Sequence, residues 1–182
     1  MQLPHERPIT QDYKYKGKIV NIRVDKAEFP DGKQCTREVC EHCGGVGILP
    51  VDEDGFVYLV RQYRYPYDEE LLEVPAGKMD HDDSEDHLGC GIRELKEETG
   101  FTAETMTYLG EMYPSPGFLT ERLYLYLATG LTAGETDFDD DEYLNLVKMS
   151  FDELCEKIHT GEIKDGKTIF AAFRAQKYLS QL

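Results

Sequence analysis

Between Arg93 and Phe101 the chain reads Arg-Glu-Leu-Lys-Glu-Glu-Thr-Gly-Phe, so three glutamates, Glu94, Glu97 and Glu98, stand at i, i+3 and i+4. At about 100° per residue this spacing lays all three along one face of a helix. Like charges so close weaken a helix by a few tenths of a kcal/mol per pair. The cluster makes chemical sense when a divalent cation sits among the carboxylates, because hard oxygen donors suit Mg²⁺ or Mn²⁺. Cations held this way can neutralise an anionic substrate and lower the pKa of a bound water, while a separate base takes the proton. Asp86 is placed to cap the helix at its start, and Gly100 to stop it in a left-handed conformation. Leu88, Ile92 and Leu95 form the apolar stripe expected to dock it on a core. Gly89 and Gly91 each cost the helix about 1 kcal/mol relative to Ala and mark points of close backbone approach. A merely solvated acidic helix, with an Arg93–Glu97 pair, is the plainer reading, but it gives those glycines no purpose.

Composition narrows the class of molecule that carries this helix. A length of 182 residues suits one domain with an appendage, or two small ones. With 40% hydrophobic and 11% aromatic residues there is enough apolar surface for a packed core. The net charge of −16, from 36 acidic against 20 basic residues, argues against a nucleic-acid or anionic-membrane surface. An acidic protein acting on an anionic substrate then needs metal ions and a few placed arginines. Met1–Lys18 has no apolar h-region and no stretch approaches a membrane span, so a soluble, cytoplasmic protein is expected. Five cysteines form no even-numbered disulfide framework, which fits a reducing compartment. Cys35, Cys40, His42 and Cys43 raise the question of zinc. No second pair of matching spacing exists, and neighbours on a strand face opposite ways, so the cysteines read as small hydrophobes.

The elements that position the helix follow from periodicity and turn signals. Residues 14–43 read as a two-stranded antiparallel appendage, with Lys18–Val24 alternating, a turn at Pro30–Gly32 and a returning run from Cys35 to Cys43. Gly45–Val51 and Phe56–Val60, joined by Asp52-Glu53-Asp54-Gly55, read as a hairpin. Leu71–Pro75 is a short strand running into an Ala76-Gly77 loop, and further strands are expected around Thr107–Met112 and Arg122–Leu127. Gly134–Glu142 reads as an exposed acidic loop. Ser150-Phe151-Asp152-Glu153 is a capping box opening a helix that ends near Gly161. A last helix, from about Lys167 to Leu179, is expected to bury Ile169, Phe170, Phe173 and Leu179.

The segment from Gly77 to Phe101 resembles the signature of the Nudix hydrolases: Gly, five residues, Glu, seven residues, then Arg-Glu-apolar-x-Glu-Glu-x-Gly-apolar. Glu85 lies seven residues before Arg93 and every later position matches. Seven residues rather than five separate Gly77 from Glu85, which we read as a two-residue loop insertion, since anchoring on Asp83 misplaces Arg93. The resemblance implies an α/β/α sandwich with a mixed sheet, in which residues 1–43 form a dimerising β appendage and residues 44–182 the hydrolase domain. It implies attack by water on the pyrophosphate of a nucleoside diphosphate linked to another moiety. Glu94, Glu97 and Glu98, helped by the carbonyl of Ala76, are the expected ligands for Mg²⁺, with Mn²⁺ as a substitute. Glu97 and Arg93 belong to the expected catalytic set, and Arg93 with Glu85 to a structural ion pair.

Val60–Pro66, Glu73–Gly77 and Tyr113–Phe118 look like the ADP-ribose pyrophosphatase branch, marked by a proline about fifteen residues past the signature, here Pro116. The resemblance therefore implies cleavage of ADP-ribose to AMP and ribose 5-phosphate. Arg64 matches an arginine that clamps the diphosphate. Glu73 matches a substrate-contacting carboxylate, and Arg37 an arginine that reaches the ligand from the second subunit of a homodimer. Pro116 and Phe118 lie in the substrate loop. Glu121, on that same loop, is the expected general base, with Asp141 and Glu142 as rivals. A nucleotide sugar, GDP-mannose or a dinucleoside polyphosphate as substrate is the alternative, and a catalytically silent nucleotide-binding module a more distant one.

Overall fold

The computed structural model describes residues 3–79, 86–135 and 143–179. Glu85, Asp83, Asp141 and Glu142 lie outside them. Among the described residues there are ten strands, β1 (Arg7–Lys16), β2 (Asn21–Glu28), β3 (Gln34–Glu41), β4 (Gly45–Pro50), β5 (Phe56–Arg64), β6 (Glu69–Glu73), β7 (Ala76–Lys78), β8 (Phe101–Met112), β9 (Leu123–Ala133) and β10 (Asn145–Ser150). Three helices accompany them, α1 (His87–Thr99), α2 (Phe151–His159) and α3 (Gly166–Leu179). They fall into two compact units. One comprises Met1–Gly44 with Tyr113–Arg122, the other Gly45–Met112 with Leu123–Leu182.

In the larger unit a four-stranded mixed sheet has the order β7-β4-β9-β8, with β4 and β9 parallel and the outer pairs antiparallel. Side chains alternate across a strand, so β4 and β9 serve two cores at once. Val46, Ile48, Tyr126 and Ala128 pack with Cys90 and Leu95 of α1 on one side. Leu49, Leu125 and Leu127 pack on the other with Ala171, Ala172 and Ala175 of α3, where the antiparallel sheet β10-β5-β6 adds Leu59, Leu72 and Met149. Helices thus cover both sides of the sheets, the α/β/α layering expected of the sequence.

Several elements differ from the sequence reading, each for a physical reason. β4 and β5 share a turn at Asp52–Gly55 but only one bridge, Val51↔Val57, because the chain leaves one sheet there and enters the other. Ala76–Lys78 is a strand rather than a loop, paired in register Gly45↔Lys78, Val46↔Gly77 and Gly47↔Ala76. α1 has the expected ends, since the Asp86 carboxylate accepts from Gly89 N at 2.8 Å and Gly100 is left-handed at φ 74°. Its buried face, however, is Cys90, Gly91, Glu94, Leu95, Glu98 and Thr99, while Leu88 lies at the margin and Ile92 is 50% exposed. Phe173 of α3 likewise points outward, leaving small alanines against the sheet. Ser150 caps α2 as its sequence requires, accepting from Glu153 N.

The smaller unit is a three-stranded antiparallel sheet of order β1-β2-β3, one strand more than the sequence suggested. β1 is exposed along its whole length and polar, so it lacks the half-buried alternation that betrays a strand. Tyr113–Arg122 is stitched to β3 in this unit: Cys40 N donates to Phe118 O at 2.8 Å and Thr120 N to Cys40 O at 3.0 Å.

Candidate active site

The β7–β4 pairing brings the Ala76-Gly77 backbone beneath α1. The Glu94 carboxylate occupies the space a Cβ on residue 77 would need, so glycine there lets Glu94 lie directly against the backbone. Glu98 Oε2 accepts a hydrogen bond from Ala76 N at 3.0 Å. Glu94 and Glu98 are 6% and 4% exposed, and burying carboxylates is costly unless donors or cations face them. Arg93 Nη1 lies 2.8 Å from Glu94 Oε1 and 2.7 Å from Glu97 Oε2, tying these glutamates to one guanidinium. Among the described residues no three His, Cys, Asp or Glu side chains already converge as a closed metal cage. The donor set still fits a hard divalent cation: two buried carboxylates against the β7 backbone, which carries no side chain at Gly77, with Glu97 on the same helix face. Gly91 explains how α1 comes so close, since a Cβ there would lie 3.1 Å from Val46 Cγ2 of β4.

The start of α1 is anchored by aromatic contact. His87 stacks on Tyr124 at 4.3 Å between ring centres, and its Nδ1 lies 2.5 Å from Tyr126 Oη. Burial pushes the Tyr126 phenol up to about 12, so it stays protonated at neutral pH.

Beside the carboxylate face lies a second charged cluster. Glu73 is 2% exposed, and its two oxygens accept from Arg64 Nε and Nη2, each at 2.6 Å. Glu73 Oε2 also receives Lys167 Nζ, which bonds Asp165 Oδ1 at 3.0 Å. Burial alone would raise the Glu73 pKa, but the Arg64 hydrogen bonds and the Lys167 charge outweigh it and hold the carboxyl below its ordinary value. Hydrogen bonding to Glu73 pushes Arg64 upward in turn, and the charges of Asp165 and Glu98 act the same way. Three backbone contacts tie this cluster to the helix face across Val74–Ala76: Val74 N to Thr168 Oγ1 at 2.8 Å, Ile48 N to Pro75 O at 2.9 Å, and the Ala76–Glu98 bond above. Arg64, Glu73, Ala76, Arg93, Glu94, Glu97 and Glu98 therefore belong to one unit, and Glu73 faces Arg64 and Lys167.

Arg37, Pro116, Phe118 and Glu121 belong to the other unit. Arg37 forks onto Glu6, with Nε at 2.9 Å and Nη2 at 2.5 Å. Pro116 and Phe118 sit exposed in a turn closed by Leu119 N to Ser115 O at 3.0 Å. Glu121 Oε1 lies 3.4 Å from His42 Nδ1. That nitrogen also accepts from Gly44 N at 3.0 Å.

Lys167, Asp165, Thr168 and His42 are the members of these clusters that the sequence reading did not assign. Lys167 carried a signal. It stands in the first turn of α3, where a cation opposes the helix dipole, and Asp165 three residues before Thr168 is a capping pattern.

A family model described as NUDIX domain matches residues 41–172. Methanol dehydrogenase activator of Bacillus methanolicus is 35% identical over 172 residues, 93% of this chain and 92% of that one. ADP-ribose pyrophosphatase of Bacillus subtilis is 32% identical over 173 residues, 94% and 92% of the two chains. A crystal structure of an ADP compounds hydrolase superposes with a TM-score of 0.84 at 20% identity, covering 100% of this chain and 96% of that one, and shares the fold. The glycine-floored carboxylate face, the layered sheets around it and these matches along nearly the whole length make the chain a member of the Nudix hydrolase family.

Proposed function

We propose that the protein hydrolyses the pyrophosphate bond of ADP-ribose, giving AMP and ribose 5-phosphate, with Mg²⁺ as its cation. The observation that carries the reading is the buried Glu94–Glu98 pair packed against Gly77 and Ala76, supported by the similarity to the Bacillus subtilis enzyme. Glu94, Glu97, Glu98 and the Ala76 carbonyl are the groups that would hold the cation. Bound there, a divalent cation neutralises the diphosphate and acidifies the attacking water. Arg93 spreads its charge over Glu94 and Glu97 and keeps them side by side. Arg64, fixed by Glu73 on one edge, offers its other edge to a phosphate oxygen. Glu121 accepts the proton of the attacking water, and Arg37, Pro116 and Phe118 complete substrate binding, with Arg37 supplied by the partner in a homodimer. The exposed strand β1, carrying Ile9, Tyr13 and Tyr15, is the surface that would pair in that dimer. An odd number of cysteines, five, suits a reducing compartment such as the cytoplasm.

The test is incubation with ADP-ribose and Mg²⁺ in ¹⁸O-water, followed by mass spectrometry of the products. AMP and ribose 5-phosphate, with one label on a phosphoryl group, are expected. Faster turnover of GDP-mannose, an ADP-sugar or a dinucleoside polyphosphate in the same panel would reassign the substrate, and no turnover of any would make the chain a binding module.

A further inference from the structure

Arg64 binds both oxygens of Glu73 through Nε and Nη2. Because a guanidinium is a rigid planar fork, fixing that edge fixes the direction of the opposite one. Glu73 is buried while the Arg64 side chain is 39% exposed, so the bound edge lies inside and the other faces outward. A glutamate side chain has three rotatable bonds, and one arginine at its tip does not hold them all. Lys167 supplies the second grip at Glu73 Oε2, and its position is itself determined. Its stem runs over Gly47 of β4, where a Cβ would lie 3.8 Å from Lys167 Cδ, and its ammonium is held by Asp165 Oδ1. Asp165 Oδ2 meanwhile caps α3, accepting from Thr168 N at 2.9 Å and Thr168 Oγ1 at 2.6 Å. The segment is tied to the β5–β6 pair a second time by Lys164 Nζ to Glu69 Oε2 at 2.9 Å.

Charge points the same way. A lone Arg64–Glu73 pair is neutral and has little pull on an anion. With Lys167 sharing the carboxylate, Glu73 no longer cancels Arg64, while the negative charge of Asp165 is partly absorbed by the α3 N-terminus. A buried lysine in the first turn of a helix is otherwise a poor choice, since it opposes the dipole and must be desolvated.

We propose that Lys167 and Asp165 are positioning residues that orient Arg64 toward the substrate diphosphate through Glu73. The proposal rests on the function proposed above, in which Arg64 meets the diphosphate. The first experiment is a double-mutant cycle on ADP-ribose hydrolysis with Lys167→Met, Asp165→Asn and Arg64→Gln. Lys167→Met should raise KM at least tenfold with kcat within about threefold, Lys167→Arg should restore most of the loss, and in the Arg64→Gln background both substitutions should add almost nothing. Asp165→Asn, which keeps the shape of the cap, covers the case in which Lys167→Met does not fold. Unchanged KM in folded variants, or penalties that add fully to that of Arg64→Gln, would overturn the proposal. A second measurement needs no substrate: the ¹⁵Nε–H signal of Arg64, identified by its absence in Arg64→Gln. It should exchange slowly with water in the parent protein and at least tenfold faster in Lys167→Met or Asp165→Asn. Exchange at the parent rate in these variants overturns the positioning role even if ADP-ribose is not the substrate, whereas an inert parent protein with the expected exchange pattern overturns only the assigned activity.

Discussion

Replacing Gly77 by Ala places a methyl group inside the Glu94 carboxylate. Residue 77 is a β7 residue paired with Val46, so its backbone has little freedom to retreat. The group it meets is the end of a flexible side chain, and Glu94 yields by rotating away. The stability cost is therefore at the low end for overpacking, about 1 kcal/mol, which lowers Tm by about 2–4 °C in a chain of this size. The activity cost is larger, because the displaced carboxylate is an expected cation ligand; a loss of at least roughly 10²-fold in kcat/KM should follow. Gly91→Ala gives the opposite signature. Its new methyl group meets Val46 Cγ2 at 3.1 Å and Ile48 Cγ1 at 3.6 Å, branched side chains locked in the core. Overpacking of about 1–3 kcal/mol, offset by about 1 kcal/mol of helix propensity, predicts a modest loss of stability with activity near that of the parent. Thermal unfolding beside a Mg²⁺ titration of ADP-ribose hydrolysis separates the two. A Gly77→Ala protein that keeps its full activity and its Mg²⁺ dependence would refute the placement of Glu94 at the cation site.

Glu98→Gln keeps the shape and the acceptor facing Ala76 N but removes a charge, so turnover at saturating Mg²⁺ should fall on the order of 10²–10³-fold with the fold intact; retained turnover would sink the ligand assignment. Glu121→Gln should lower kcat far more than it raises KM. Normal turnover there, together with a dead Glu142→Gln, would move the base to the acidic segment. Glu73, held below its ordinary pKa, contributes stability that is present above the unfolded-state value of about 4.3 and is lost as pH falls through the folded value. The stability gap between the parent and Glu73→Gln should accordingly narrow as urea unfolding is repeated from pH 6 down to pH 3, and a gap that widens over that range would contradict the depressed pKa. Sedimentation at micromolar concentration should show a homodimer, and a monomer there would remove Arg37 from the site.

What the sequence made legible was local. The carboxylate spacing, the Asp86 and Ser150 caps and the left-handed Gly100 each involve residues within a turn of one another, so short-range chemistry determines them. Pairing over long distances was not legible: Lys167 meets Glu73 across 94 residues, and β4 chooses β9 and β7 over the nearer β5. The misjudged helix face is the more instructive case. Leu88 and Ile92 looked like the docking stripe because periodicity arguments assume the buried face is the apolar one. In α1 Leu95 docks as expected, but it shares the buried face with Glu94 and Glu98, while Leu88 and Ile92 are left at the margin and the surface. The same inversion recurs in α3, where Lys167 is buried and Phe173 is exposed. Both inversions put charged side chains where burial costs most, and both adjoin the Val74–Ala76 connector, whose amides bond Thr168 and Glu98. Stability alone would not keep a carboxylate pair and a buried lysine on either side of one short connector. The proposed diphosphate site, with a cation on one side and an arginine clamp on the other, would account for that arrangement, and the elements that violate the hydrophobic pattern are the ones that would build it.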